Sequence, residues 1–227
     1  MSVSAVIFDW GGTLTPWHSI DETELWHTVC AQHYEAGLAA QTATALRSAE
    51  LRLWNVARRE HRSATLGDLL SLAGVQPSEE LLDSYFQAWE PHTFTDPDAG
   101  ELLRELRRRR IKVGVLSNTM WPRARHELIF ARDGVLDLID GAVYSSEIPW
   151  TKPHPEAFRA AMTAVGVTQP GDCVYVGDRP FDDIHGAHSA GLRTVFVPNS
   201  AVPPFDAASP DAVISRLAEL IEIIDRW

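Results

Sequence analysis

At 227 residues, 45% of them hydrophobic, the chain can bury a full core, as one large domain or as a core with a smaller insert. Its 20 basic residues against 31 acidic give a formal charge of −11, which disfavours nucleic acid or an anionic membrane as a general partner but leaves room for a small anionic substrate in a locally positive site. Cys30 and Cys173 are too few for a disulfide framework and read as buried free thiols; with no basic leader and no apolar run of membrane-spanning length, a soluble cytoplasmic protein is expected.

The first element is a short β-favouring run, Val3 and Ala5 to Phe8, which stops at Asp9 and is followed by Trp10-Gly11-Gly12-Thr13-Leu14. That length and composition read as one buried strand, with a carboxylate at its carboxyl end, and the two glycines would let backbone amides approach a charged group. The proline-marked stretch Thr15 to Ile20 reads as a hinge. From Asp21 to Trp89 only helical patterns occur, over Asp21–Ala36, Ala40–Arg59, Leu66–Ala73 and Ser78–Trp89, punctuated by Gly37, Gly74 and Pro77. An all-helical block between two α/β stretches reads as an inserted cap.

From Ala99 onward helix and strand alternate, which predicts a parallel sheet covered on both faces. The pattern places strands at Lys112–Leu116, Gly141–Tyr144, Cys173–Val176 and Arg193–Val197, with a possible edge strand at Ala212–Ile214. Helices are expected at Ala99–Arg109, Arg123–Arg132, Glu156–Val165, Asp183–Ala190 and Leu217–Ile224. The basic run Arg107 to Arg110 falls at a helix C-terminus, where cations offset the helix dipole, and reads as a solvated end rather than a polyanion site.

Three apolar strands therefore end in small or polar residues: Asp9, then Ser117-Asn118, then Gly177-Asp178. In an open parallel sheet those ends meet along one edge, where such sheets bind ligands. Together with Lys152-Pro153 and with Asp183 in Asp182-Asp183-Ile184-His185-Gly186-Ala187, their order and spacing resemble the four motifs of the haloacid dehalogenase-like hydrolase superfamily, over Val3 to Gly191.

The resemblance implies a Rossmann-like, doubly wound α/β core over residues 1–15 and 92–227, with a helical cap over 16–91. It implies Asp9 as nucleophile, Ser117 and the Asn118 amide holding a phosphoryl oxygen along with Gly12, and Lys152 offsetting the charge of aspartate and phosphate. Asp9, the Gly11 carbonyl and Asp178 would hold Mg²⁺, a hard cation suited to oxygen donors, with Asp183 as the second acid of the metal motif. One departure stands out: Gly11 occupies the position of the family's second aspartate, which protonates the leaving group and then activates water. His18, Asp21, Glu22 and His154 are the candidate replacements.

The expected activity is Mg²⁺-dependent hydrolysis of a small phosphorylated metabolite through an aspartyl-phosphate on Asp9, by a monomer or homodimer. Trp10, Trp17, Trp121 and Trp150 lie close to motif residues and suggest an aromatic or apolar leaving group. The alternatives are a phosphate- and metal-binding protein with impaired turnover, supported by Gly11, and a dehalogenase, disfavoured by the Asp178 and Asp183 pair. Phosphonate cleavage would need a Schiff-base lysine in the cap, and Thr15 to Glu90 contains no lysine.

Overall fold

The computed structural model describes residues 3–202, 204–206 and 209–227. Strand β1 (Ala5–Phe8) is buried at every position. Four helices follow it: α1 (Glu22–Ala31), α2 (Ala36–Glu60), α3 (Leu66–Ala73) and α4 (Glu79–Trp89). The chain then alternates through α5 (Ala99–Arg108), β2 (Lys112–Ser117), α6 (Arg123–Arg132), β3 (Gly141–Tyr144), α7 (Pro155–Ala164) and β4 (Cys173–Gly177). It ends with α8 (Gly186–Ser189), β5 (Arg193–Phe196), β6 (Ala212–Val213) and α9 (Leu220–Ile224).

The strands form one parallel sheet in the order β3-β2-β1-β4-β5-β6. The order reverses direction at β1, so a crevice opens between the carboxyl ends of its two neighbours. Phe8 sits opposite Val115 on one side and Val176 on the other, which brings Asp9, Ser117-Asn118 and Gly177-Asp178 to the same edge. Alternate side chains go to opposite faces. Phe8, Val113 and Val174 pack with Leu103 of α5 and Leu220 of α9, whereas Ile7, Leu116 and Tyr175 pack with Phe158 of α7 and Ala187 of α8.

Helices α1 to α4 have an apolar cluster of their own, centred on Trp26, Leu46, Leu69 and Tyr85, into which Met120 and Trp121 of the sheet-bearing part insert. Their starts follow from their caps. Asp21 accepts from the amides of Thr23 (3.0 Å) and Glu24 (3.1 Å), Thr65 and Asp68 form a reciprocal capping box, and Ser78 accepts from Leu81 (3.1 Å). No helix among the described residues is long and apolar enough to cross a membrane.

Two expected elements differ. The break between the first two helices lies at residues 32–35, not at Gly37, which sits in the first turn of α2 where amides lack intrahelical partners and glycine costs least. The expected helix Asp183–Ala190 is a π-helical turn over Pro180–His185 that runs into α8. The wider turn folds Asp183 back beneath the end of β4, where Oδ2 accepts from the amides of Asp178 (3.1 Å) and Arg179 (2.9 Å).

Candidate active site

Asp9 continues β1 by one residue, its amide bonded to the Val176 carbonyl at 2.9 Å, and its side chain is almost wholly buried. Lys152 reaches it from the loop before α7: Nζ lies 2.7 Å from Asp9 Oδ1 and 2.7 Å from Asp183 Oδ1. Nζ also donates to the Tyr175 hydroxyl (2.9 Å), which lies 3.2 Å from the Leu116 carbonyl. Burial alone would push the Lys152 ammonium down, but the Asp183 and Asp9 carboxylates outweigh it and hold it above its ordinary value.

The lysine loop is fixed by Asn118. Its side-chain amide donates to the Lys152 carbonyl (3.0 Å) and accepts from the Lys152 amide (2.8 Å). The Asn118 side chain is therefore engaged in holding Lys152. Ser117 and Asn118 line the same cavity as Asp9 and Lys152.

Asp9, Asp178 and Asp183 bring carboxylate oxygens within 4.8 Å of one another. Asp183 is satisfied by Lys152 and by two backbone amides. Asp178 is the opposite case: fully buried, with neither Oδ1 nor Oδ2 hydrogen-bonded. Burial, then Asp9, then Asp183 raise its pKa. A buried, unpartnered carboxylate costs free energy unless a cation or proton meets it, so the donor set fits a hard divalent cation. Gly12 keeps the space open, since a Cβ there would lie 2.1 Å from Asp178 Oδ2.

The Gly12 amide donates to the Thr15 carbonyl at 2.7 Å, closing the tight turn after Asp9 at a φ of +91°. Position 11 is open: a Cβ built on Gly11 meets nothing within 4 Å.

The candidate proton donors separate. Asp21 serves as the α1 cap, and His154 caps α7 through Nδ1 (3.2 Å from the Glu156 amide) while stacking on Trp150 at 4.0 Å. Glu22 lines the cavity but is ion-paired with Arg47. His18 also lines it, its ring 5.2 Å from that of His92.

Two site residues escape the sequence reading. Tyr175 looks like core in a fully buried strand, and only its need for a hydroxyl partner hints at Lys152. Arg179 follows Asp178 directly, lines the cavity and stands 3.7 Å from Asp182, a half-buried residue of the same cavity.

A cavity of about 440 Å³ lies over this edge, lined on its far side by residues of helices α1 to α4. Residues 61–63 pair with 149–151 beside Lys152: the Ser63 amide donates to the Pro149 carbonyl (3.1 Å) and the Thr151 amide to the His61 carbonyl (2.9 Å).

The sequence profile of the haloacid dehalogenase-like hydrolases matches residues 3–191. A phosphoserine phosphatase of Thermus thermophilus is 32% identical over 161 residues, 70% of this chain and 63% of that protein. A glyceraldehyde 3-phosphate phosphatase of Methanopyrus kandleri is 29% identical over 230 residues, covering 98% of this chain and 97% of the relative. The solved 2-haloacid dehalogenase of Pseudomonas syringae superposes with a TM-score of 0.68 at 24% identity, over 99% of each chain. The fold, the ordered strand-end motifs and the profile agree, and the chain belongs to the haloacid dehalogenase-like hydrolases.

Proposed function

We propose that the protein is a phosphatase that hydrolyses a small phosphorylated metabolite through an aspartyl-phosphate on Asp9, with Mg²⁺ held by Asp9, the Gly11 carbonyl and Asp178. The observation that carries this reading is Asp178, whose two oxygens are buried without a partner beside the presumed nucleophile. A metal-free dehalogenation has no use for such a carboxylate. The names of the phosphatase relatives point the same way, and a cytoplasmic setting fits two buried free thiols.

Asp9 attacks phosphorus, and the bond from phosphorus to the ester oxygen breaks as the Asp9–phosphorus bond forms. Lys152 compensates the negative charge that gathers on Asp9 and the phosphoryl oxygens, held in place by Asp183, Tyr175 and the Asn118 clamp. The Ser117 hydroxyl and Asn118 amide bind a phosphoryl oxygen. Bound Mg²⁺ would supply further charge neutralisation between Asp9 and the phosphate. With glycine at 11 the departing oxygen receives no proton from that position, so the reaction favours leaving groups that are stable as anions. Water then cleaves the acyl phosphate and restores Asp9.

The test is a panel of phosphomonoesters assayed with Mg²⁺ and with a chelator, in wild type and Asp9→Asn. Turnover is expected only in wild type with metal. Activity that survives in Asp9→Asn removes the nucleophile assignment, and activity indifferent to chelation removes the metal.

A further inference from the structure

The cavity has two chemically different ends. At the sheet edge are Asp9 and Lys152; on α2, in the helical block, is Glu50, only 6% exposed yet lining the same cavity. Between them runs an aromatic wall in which Trp121 meets Trp10 (ring centroids 5.6 Å), Trp89 (5.6 Å) and Tyr85 (6.1 Å).

Glu50 is held rigidly but incompletely satisfied. Trp26 Nε1 donates to its Oε2 at 3.2 Å and Arg47 Nη1 to the same oxygen at 2.7 Å, so both bonds fall on one atom. Oε1 has no protein partner among the described residues. Arg47 is shared with Glu22, so two carboxyl groups face one guanidinium. Oε1 is therefore the atom left to accept a hydrogen bond from the cavity side. Arg58 also lines the cavity but is exposed, in the last turn of α2.

We infer that Glu50 is a specificity-determining residue that accepts a hydrogen bond from an amine or hydroxyl at the far end of an aromatic leaving group, whose ring lies along the Trp10–Trp121–Trp89 wall. The inference rests on the phosphatase reading for the identity of the substrate as a phosphomonoester. A ligand ending in a carboxylate is disfavoured, because it meets two carboxyl groups, Glu22 and Glu50, and finds Arg47 already engaged.

The test uses three phenols that differ only opposite the hydroxyl: 4-(aminomethyl)phenol, 4-methylphenol and 4-hydroxybenzoate. They carry no phosphate, so calorimetric titration reads the cavity without turnover. The aminomethyl compound is expected to bind at least about tenfold tighter than the methyl compound, with the carboxylate weakest. Glu50→Gln, which keeps an acceptor for Trp26, should bring the first two within roughly twofold. Equal wild-type binding of amine and methyl compounds overturns the inference even if the variant does not fold, and so does a variant that keeps the full preference. The matching aryl phosphates separate the two readings. Turnover without preference for the aminomethyl ester overturns the Glu50 role alone; preferential binding of the aminomethyl phenol with no turnover of any ester overturns the phosphatase reading and supports Glu50.

Discussion

On the proposed reading Gly11 is the position that lacks an acid–base carboxylate, and the backbone there can accept one. Its φ lies outside the left-handed region and a side chain there would enter open space. Gly11→Asp is therefore expected to fold and to raise kcat on alkyl phosphates, toward the roughly 10²–10⁴-fold that a positioned acid–base group contributes. The gain should be far smaller on p-nitrophenyl phosphate, whose leaving group is stable without a proton. A wild-type enzyme already fast on alkyl phosphates would sink this and direct attention to His18 in the cavity. Also at this scale, His126 is fully buried, stacked on Tyr144 at 4.3 Å, with burial pushing its pKa from 6.5 down to about 3. Below the unfolded value the unfolded chain takes up a proton that the folded chain refuses, so stability falls as pH drops from 6.5 toward 3. Between about pH 7 and pH 5 this single group should cost about 2 kcal/mol. Thermal melts of His126→Phe should show a visibly smaller loss over that interval than wild type.

At the scale of elements, the turn after β4 holds two carboxylates of opposite energetic character. Asp183 binds two amides and Lys152, and Asp183→Ala leaves all three wanting, so a loss of about 3 kcal/mol is expected in denaturant unfolding. Asp178 is unpartnered and raised by its neighbours, so Asp178→Asn should raise the melting temperature of the metal-free protein, by roughly 2–4 °C for each kcal/mol relieved, while abolishing metal binding. A lowered melting temperature would mean that Asp178 has a structural partner in solution. This contrast also marks what the sequence makes legible. Asp9, Ser117 and Asp178 are readable because each ends an apolar run, and strand ends converge wherever the strands are parallel neighbours. The bonds that tie Asp183 to Lys152 and to the amides of Asp178 and Arg179 are not readable, because they depend on a π-helical turn that only the tertiary structure imposes. Tyr175 is hidden for a related reason: alternation along β4 assigns it to a buried face, but only the arrival of Lys152 gives its hydroxyl a task. The bond from the Gly12 amide to the Thr15 carbonyl is likewise a turn detail that the Gly11-Gly12 pair does not specify.

Over the whole molecule the decisive feature is how the helical block closes on the sheet edge. The backbone bonds between residues 61–63 and 149–151, and from the Leu66 amide to the Met120 carbonyl (2.8 Å), place the lid directly beside the lysine loop. The cavity between them is partly open to solvent; further closure of the helical block over it would exclude water and strengthen the charge interactions among Asp9, Lys152 and a phosphate, and movement at this seam would then gate substrate and product. Arg62 and Trp150 are opposed in an antiparallel bridge, a geometry whose Cα separation of about 4.5–5.5 Å suits a disulfide. The native Cys30 and Cys173 are buried and free, so neither competes for the new bond. Arg62→Cys with Trp150→Cys should therefore close under oxidation and pin the lid at this seam. The reduced double variant is the baseline, since it already lacks the stacking of Trp150 on His154. Oxidation is expected to lower kcat by about tenfold or more, and added reductant to restore it, with single-turnover chemistry on preloaded substrate much less affected. Equal steady-state turnover in the oxidised and reduced forms would show that this seam stays shut throughout the cycle and that substrate reaches Asp9 without opening it.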